Sequence, residues 1–315
     1  EGKGRNQGRP GCAPHSIWIV ISSLAFLATG CSTLEVASER PPNIVLFLAD
    51  DQSWMDSGAY GNKDLPTPNI DQLARNGMRF SHAFTGTAMC APSRQQLYTG
   101  LYPTRSGAYP NHGQVRDGTL SLVHHLRRLG YRVGLLGKEH FGPPSSFSFE
   151  RLTGRPNTGG PPASKLNLEA VREFISRDPT QPFFLVIASN NPHTPWTEGD
   201  RSVFEAGSLA IPGYLVDTPA SREALVAYYA EITQLDQELG ALLSTLESSG
   251  QRENTMVVYT SEQGAALPFA KWTLYDAGIR TALVVSWPGR IAPNSTSDAM
   301  VHYVDVAPTL VEAAG

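Results

Sequence analysis

Cysteine is scarce: the 315-residue chain has three, at positions 12, 31 and 90. They stand too far apart for a disulfide framework and lack the paired spacing of a zinc knuckle, so each must be interpreted alone. A strong excess of one charge is also missing, because the formal net charge is −4. That balance argues against a nucleic-acid partner, although a local basic pocket can still hold one anionic group. Hydrophobic residues make up 41%, enough for a sizeable core.

The N-terminal apolar run is too short to span a membrane. Three basic residues within the first nine precede an apolar stretch over residues 17–28. That is about a dozen residues, against the roughly 20 that a spanning helix needs. A positive start, a short apolar middle and small residues at the end are typical of a secretory signal peptide. We therefore assign residues 1–31 to a signal peptide and residues 32–41 to a polar linker.

The end of this signal peptide resembles a bacterial lipoprotein processing site. Residues 28–31 are Ala-Thr-Gly-Cys, in which Cys31 would carry the lipid. The alternatives are an ordinary signal peptide with an incidental Cys31, or an uncleaved anchor. We expect an exported protein that is periplasmic, lipid-anchored at the outer membrane, or secreted, with the lipid as its only membrane contact. The chain starts at Glu1 rather than Met and stops after an apolar helical stretch, so we also expect further chain to follow.

Apolar strands alternate with helical patterns over the remaining sequence. Continuous apolar runs predict buried strands, and several are separated by stretches with helical spacing. The clearest helix follows Thr218 and ends at Gly250, with apolar residues at alternating gaps of three and four. A shorter helix opens at Thr67, which we expect to act as its N-cap, and Gly77 can close it. The fold class predicted is α/β, with a mostly parallel central sheet flanked by helices. The predicted strands cover 43–49, 131–136, 183–188, 256–259 and 283–285, and further helices cover 120–129 and 168–176.

Two carboxylates directly follow the first strand. Functional residues in such sheets gather beyond the carboxyl ends of the strands, where Asp50 and Asp51 stand. Adjacent carboxylates repel each other unless a cation joins them, and a hard divalent ion with oxygen ligands would do so. The alternative is a solvated turn or a helix cap.

The third cysteine opens the most specific motif. Residues 90–94 are Cys-Ala-Pro-Ser-Arg, followed by a helical stretch to Tyr98. The pattern Cys-x-Pro-Ser-Arg resembles the formylglycine signature of the sulfatase family, within the alkaline phosphatase superfamily. Residues 99–103, Thr-Gly-Leu-Tyr-Pro, continue the match. The alternative for Cys90 is a buried structural cysteine.

The resemblance implies that Cys90 is oxidised to formylglycine, which acts as the nucleophile. An aldehyde hydrates to a geminal diol: one hydroxyl attacks sulfur, and the other then expels sulfate and regenerates the aldehyde. A thiol or a serine lacks the second hydroxyl and would leave a stable adduct. The helix N-terminus after Cys90 favours the developing negative charge, and Arg94, one turn along, would hold the diol.

Two further motifs supply histidines after the next strands. Gly-Lys-Glu-His at 137–140 is similar to a family segment in which Lys138 would neutralise a sulfate oxygen and His140 would contact the diol and assist sulfate release. Glu139 is expected to point away. Pro-His-Thr-Pro at 192–195 offers His193 as proton donor to the leaving group. The alternatives are a surface loop for the first motif and a capped turn with a structural histidine for the second.

The strand over 256–259 is followed by Glu262 and Gln263. Most sulfatases carry Asp followed by Asn or His here, so both side chains are longer by one methylene in this chain. Lys271 falls where the family places a second sulfate-binding cation, and Arg280 is expected to be structural. The implied cofactor is Ca²⁺, with Mg²⁺ as the alternative, in addition to the formylglycine. Its implied ligands are Asp50, Asp51, residue 90, Glu262 and Gln263, and the implied catalytic residues are Cys90, Arg94, Lys138, His140, His193 and Lys271.

The resemblance covers residues 42–315, which we assign to a sulfatase catalytic domain lacking the smaller C-terminal subdomain usual in the family. The motifs are most similar to those of heparan N-sulfatase (sulfamidase) and its bacterial relatives. They imply hydrolysis of sulfate esters or sulfamates on a sulfated small molecule or glycan. They also imply a formylglycine-generating enzyme as a maturation partner. Two alternatives remain: a phosphatase or phosphodiesterase of the same superfamily, and a non-catalytic glycan-binding protein.

Overall fold

The computed structural model describes residues 40–152 and 166–315. The predicted signal peptide, Cys31 and most of the predicted linker lie outside these residues. Within them, no helix combines the length and the apolar character needed to cross a bilayer.

Strands and helices alternate along the described chain. The strands are β1 (Asn43–Ala49), β2 (Met78–Phe84), β3 (Arg132–Gly137), β4 (Glu150–Arg151), β5 (Phe183–Ala188), β6 (Thr255–Ser261), β7 (Arg280–Ser286) and β8 (Ser295–His302). The helices are α1 (Pro68–Arg75), α2 (Cys90–Thr99), α3 (Pro103–Ser106), α4 (Leu122–Arg128), α5 (Leu168–Ser176), α6 (Pro219–Ser248), α7 (Asp276–Ile279) and α8 (Tyr303–Ala313). Three short 3-10 helices cover Gly58–Tyr60, Arg201–Val203 and Arg252–Asn254.

The strands form one sheet in the order β4-β3-β5-β1-β6-β7-β2-β8. The first five of these are parallel, with β1 between β5 and β6. Strand β7 runs antiparallel to both β6 and β2, and β8 pairs in parallel with β2 at the edge. The predicted α/β class with a mostly parallel sheet is therefore confirmed. Because β1 lies at the centre, the residues that follow it open at the middle of the sheet's carboxyl edge.

The central strand is buried on both faces. Every residue of β1 is buried, and alternate side chains enter two separate cores. One core contains Ile44, Leu46 and Leu48 together with apolar residues of α2, α4 and α8. The other takes the intervening β1 side chains and residues of α1, α5 and α6. Helices therefore cover both faces of the sheet, which explains why the strand is apolar throughout rather than alternating.

Helix α6 matches its sequence pattern closely. The Oγ1 atom of Thr218 accepts a hydrogen bond from Ser221 N at 3.1 Å, which caps the N-terminus as a Thr-Pro start predicts. The seven apolar positions with alternating gaps are all fully buried: Leu225, Tyr228, Ile232, Leu235, Leu239, Leu242 and Leu246. The last four of these residues pack in the core beneath the sheet, and the first three belong to a separate apolar cluster with residues of the surrounding loops.

Helix α1 corrects one expectation about capping. The Thr67 side chain does not cap this helix; its Oγ1 instead accepts from Gly58 N at 2.8 Å. The capping acceptor is Asp236 of α6, whose Oδ1 lies 3.1 Å from Asn69 N and 2.8 Å from Ile70 N. The helix ends at Arg75, before Gly77. A carboxylate from a distant helix therefore satisfies the free N–H groups, which local sequence cannot reveal.

Candidate active site

Four acidic or sulfur-bearing side chains meet at the carboxyl edge of the sheet. They are Asp50 and Asp51 after β1, Cys90 at the first turn of α2, and Glu262 after β6. One ligand atom from each lies within 4.8 Å of the other three, and all four residues are buried. The structure thus brings together residues from three separate segments that the sequence motifs singled out.

Three cationic side chains surround the carboxylates. Lys138 Nζ lies 2.5 Å from Asp50 Oδ2, and Lys271 Nζ lies 2.7 Å from Asp51 Oδ2. Arg94 Nε donates to Glu262 Oε2, and Arg94 NH2 lies 3.8 Å from Asp50 Oδ1. Buried charges are costly unless each is paired, so the three cations offset the three carboxylates.

Burial and pairing shift the acidities of the cluster in opposite directions. Burial, with the nearby Glu262 charge, raises the pKa of Asp50 well above its usual range. Burial acts in the same direction on Glu262, but Arg94 and Lys138 outweigh it and hold the pKa of that carboxyl well below its usual range. Burial, reinforced by Glu262, also raises the pKa of the Cys90 thiol. Cys90 is therefore no ready thiolate nucleophile in its unmodified form.

Gln263 links the carboxylates through its amide. Its Nε2 donates to Asp51 Oδ1 at 2.5 Å, to Glu262 Oε1 at 3.1 Å and to Cys90 Sγ at 3.5 Å. Its buried Oε1 has no hydrogen-bond partner within residues 40–152 and 166–315, and neither has Asp50 Oδ1. Rotation of the amide about its terminal bond would present Oε1 to the same group of atoms.

This donor set fits a hard divalent cation. It combines three carboxylates and an amide oxygen, which are ligands that Ca²⁺ and Mg²⁺ prefer. Asp50 Oδ1 and Gln263 Oε1, which accept no hydrogen bond from the described part of the chain, are oxygen atoms that a cation would satisfy. The extra methylene of Glu262 and Gln263 does not keep them out of the cluster, since both contact neighbouring members of it.

His193 lies at the edge of the cluster in the loop after β5. Its Nε2 is 3.7 Å from Asp51 Oδ2, and its Nδ1 donates to Thr194 O at 2.6 Å. A carbonyl can only accept, so the proton of the neutral ring sits on Nδ1 and the Nε2 lone pair faces the site. Burial lowers the pKa of His193 although Asp51 opposes this shift.

Two glutamates of α6 anchor the His193 loop. Glu231 Oε1 accepts from Thr197 N at 2.5 Å and from Glu198 N at 3.0 Å. Glu238 Oε2 accepts from Ser189 Oγ at 2.7 Å, at the start of the loop. No sequence motif marks either glutamate, because their helical spacing alone looks like an ordinary polar face of α6.

His140 lies in the segment after β3, near enough to the cluster for the charges of Lys138, Arg94 and Glu262 to act on its ring. Its Nε2 lies 2.7 Å from Nδ1 of His112, a residue that the sequence analysis did not single out. Burial, with the charges of Lys138 and Arg94, lowers the pKa of His140 to about 3. No motif marks His112, which follows Asn111 in a turn distant in sequence from His140.

Two residues expected to lie outside the chemistry do so. Glu139 pairs with Arg151 through two hydrogen bonds of 2.7 and 2.9 Å and faces away from the carboxylate cluster. Arg280 donates to the backbone oxygen of Ser81 at 3.1 Å, and its guanidinium lies 3.6 Å from the ring centroid of Trp54. Both therefore support the fold rather than the site.

Comparison with known proteins gives consistent matches. A sequence model of the Sulfatase family matches residues 42–315. An ulvan-active sulfatase of Formosa agariphila is 32% identical over 94% of this chain and 62% of its own length. The N-sulphoglucosamine sulphohydrolase of Homo sapiens is 31% identical over 89% of this chain and 62% of its own length. The crystal structure of Ps i-CgsB superimposes with a TM-score of 0.74 at 25% identity, covering 88% of this chain and 72% of that one. The chain thus spans less than two thirds of the length of these two curated relatives.

Proposed function

Because the chain belongs to the sulfatase family, we propose that it hydrolyses sulfate esters or sulfamates on a sulfated glycan. The nucleophile would come from Cys90 after its oxidation to formylglycine. The observation that carries this proposal is the position of Cys90 at the first turn of α2, with its ligand atom within 4.8 Å of those of Asp50, Asp51 and Glu262. A structural cysteine would not need three buried carboxylates around it.

The proposed metal ligands are the residues of the cluster together with the amide oxygen. A bound Ca²⁺, or alternatively Mg²⁺, would supply Lewis-acid polarisation of a sulfate oxygen and stabilise negative charge on residue 90. The chain's own contribution is to hold its donors at fixed positions from three segments. Those donors are Asp50, Asp51, residue 90, Glu262 and Gln263.

The cations would bind the sulfate group of the substrate. Lys138 and Lys271 reach the cluster from two different segments, and each places its ammonium beside a carboxylate. In this position they can neutralise sulfate oxygens as charge develops on them. Arg94 is buried between Glu262 and Asp50 and would orient residue 90 from one turn further along α2.

The histidines would handle the protons. His193 carries its resting proton on Nδ1, so its Nε2, facing Asp51, is the atom that can take up a second proton and deliver it to the leaving oxygen or nitrogen. The Asp51 carboxylate would stabilise that cationic form. His140, in the motif at 137–140 after β3, would contact residue 90 and assist release of sulfate.

For the substrate we propose an N-sulfated or O-sulfated sugar within a polysaccharide. One relative is named for activity on ulvan and another for N-sulphoglucosamine. The segment Gly-Lys-Glu-His-Phe-Gly-Pro at 137–143 and the spacing from Gly264 to Lys271 favour the second type, so sulfamate hydrolysis is the first candidate. Export to the cell envelope, with lipid on Cys31, would place such an enzyme where polysaccharides are degraded.

The test begins with maturation. The chain is co-expressed with a formylglycine-generating enzyme, and the peptide around position 90 is examined by mass spectrometry for the aldehyde. The matured protein is then assayed with N-sulfated and with O-sulfated glucosamine. We expect turnover of at least one of them and none by Cys90→Ala.

Matched outcomes separate the alternatives. Cys90→Ser keeps one hydroxyl and should trap sulfate on the protein without turning over, as a single hydroxyl cannot expel it. Wild-type turnover rates in Cys90→Ala would overturn the assignment of residue 90 as the nucleophile. Preferential cleavage of phosphate esters would favour the phosphatase alternative, and metal binding without any turnover would favour a glycan-binding protein. If only O-sulfated sugars are cleaved, the sulfamidase assignment fails and the sulfatase assignment stands.

A further inference from the structure

His140 is paired with a second histidine outside the carboxylate cluster. Its Nε2 lies 2.7 Å from His112 Nδ1, and the two ring centroids are 4.6 Å apart. Both residues have positive φ angles, 48° for His140 and 65° for His112, a backbone region that side chains other than glycine seldom occupy. Such conformations are energetically costly and persist only where the surrounding contacts determine them. The pairing of these two rings is therefore a specified feature of the fold.

Asn111 determines which histidine donates. Its Oδ1 lies 3.3 Å from the backbone N of Ala91, which can only donate, so the orientation of the amide is fixed. The Nδ2 group of Asn111 then faces His112 Nε2 at 3.5 Å, and that ring nitrogen accepts. A neutral His112 must carry its proton on Nδ1 and donate it to His140.

This direction places the proton of His140 on Nδ1. That atom is buried and has no hydrogen-bond partner within residues 40–152 and 166–315. Burial together with Lys138 and Arg94 lowers the pKa of His140 to about 3, so the ring is neutral at ordinary working pH. The result is one neutral N–H donor, directed by its neighbours and available to a bound group.

We propose that His112 is a positioning residue that fixes the ring orientation and the tautomer of His140, so that the Nδ1–H of His140 donates to the sulfate group of the substrate. The identity of the acceptor rests on the proposed function, whereas the tautomer does not. The same hydrogen bonds tie this donor to Ala91, the residue directly after Cys90. These hydrogen bonds thereby fix the position of the His140 donor relative to residue 90, the proposed nucleophile.

Nuclear magnetic resonance of the matured protein, labelled with ¹⁵N-histidine, tests the tautomer directly. Long-range ¹H–¹⁵N correlations show which ring nitrogen carries the proton, and His140→Gln identifies the relevant signals among the eight histidines. We expect Nδ1–H in wild type and a shift to Nε2–H in His112→Ala. His112→Asn, whose amide N–H can replace Nδ1–H, should restore the wild-type pattern. His125→Ala, at an exposed position of α4, should leave it unchanged.

Kinetics with a sulfated sugar provide the second readout. Loss of one directed hydrogen bond should lower kcat on the order of ten-fold in His112→Ala with little change in KM, and His112→Asn should recover most of it. Nε2–H in the wild-type His140, or an unshifted tautomer in His112→Ala, would overturn the proposal. A shifted tautomer with unchanged kcat would overturn the positioning role. If wild type hydrolyses no sulfated sugar, the proposed function fails. The tautomer of His140 is still decided by the nuclear magnetic resonance experiment.

Discussion

Individual side chains give the candidate site its character, and Gln263 is the least expected among them. An amide with a longer arm stands where the family usually has Asn or His, yet its Nε2 reaches Asp51, Glu262 and Cys90. Its Oε1 accepts no hydrogen bond from the residues that the structure describes, and it is the atom that we expect to bind the cation. The extra methylene is therefore accommodated by the site rather than removing a ligand from it.

Gln263→Met should weaken calcium binding about ten-fold or more, because an oxygen donor is replaced by a thioether of similar shape that suits calcium poorly. Isothermal titration with Ca²⁺ measures the change. Gln72→Met, on the exposed face of α1, serves as the matched control and should bind like wild type. Unaltered affinity in Gln263→Met would remove this residue from the ligand set.

Asp56 is a buried carboxyl that forms no ion pair within residues 40–152 and 166–315, and it should make stability depend on pH. Burial raises its pKa to about 7, although hydrogen bonds from Tyr228 and Asn62 oppose the shift. The folded state thus binds this proton more tightly than the unfolded chain, so the contribution of Asp56 to stability is largest below about pH 4 and falls up to about pH 7. The total loss would be about 4 kcal/mol.

Asp56→Asn carries no titrating proton, so its denaturant midpoint should change less between pH 4 and pH 8 than that of wild type. At pH 8 the variant should be the more stable of the two. Asp298→Asn, at an exposed position of β8, controls for a simple change in net charge. Parallel pH profiles for wild type and Asp56→Asn would contradict the assignment.

Whole elements were predictable where the pattern was local. Helix α6 follows from its apolar spacing and its Thr-Pro start, and β5 from an uninterrupted apolar run. Strands β2 and β8 were not predicted because their mixed polar residues are only partly buried, so no alternation or apolar run marks them. The predicted cap of α1 was wrong because the residue that caps this helix, Asp236, lies 166 residues beyond Ile70 in the sequence.

Helix α6 also braces the His193 loop, and Glu231 allows this to be tested. Glu231→Ala removes the acceptor of two backbone N–H groups, which should cost about 1–3 kcal/mol and speed hydrogen exchange of residues 197–198. Catalytic rate should fall because His193 loses its fixed position. Glu231→Gln retains an acceptor oxygen and should behave like wild type. Hydrogen-exchange rates in Glu231→Ala equal to those of wild type would show that Glu231 does not stabilise the loop.

The molecule as a whole assembles its site from segments that no local pattern joins. Sequence motifs pointed to the ten candidate residues, because most of them follow a strand or lie in the first turns of α2 in a sheet of this class. Contacts between segments distant in sequence could not be predicted from the sequence. Examples are His112 with His140, and Glu231 with the loop after β5. Their roles depend on the folded arrangement, which explains why the supporting residues were the ones missed.

A cation bound only by the folded protein should stabilise the whole sheet. At a free calcium concentration of about 100 times Kd, the gain is about 2.7 kcal/mol, which raises Tm by several degrees in a domain of this size. Differential scanning fluorimetry with Ca²⁺, with Mg²⁺ and with a chelator measures it. Gln263→Met should show a smaller rise at the same calcium concentration. A Tm independent of both ions would argue against a site in the folded state.

Cys90 lies in a helix whose residues from Cys90 to Tyr98 are all buried, and its own side chain is 2% exposed. The enzyme proposed above to oxidise this thiol would need access to it, and the folded helix α2 does not give that access. The proposed oxidation should therefore take place before the chain folds around Cys90. A chain that folds before it is oxidised would keep its thiol, so the fraction of formylglycine in a preparation would report how oxidation and folding competed.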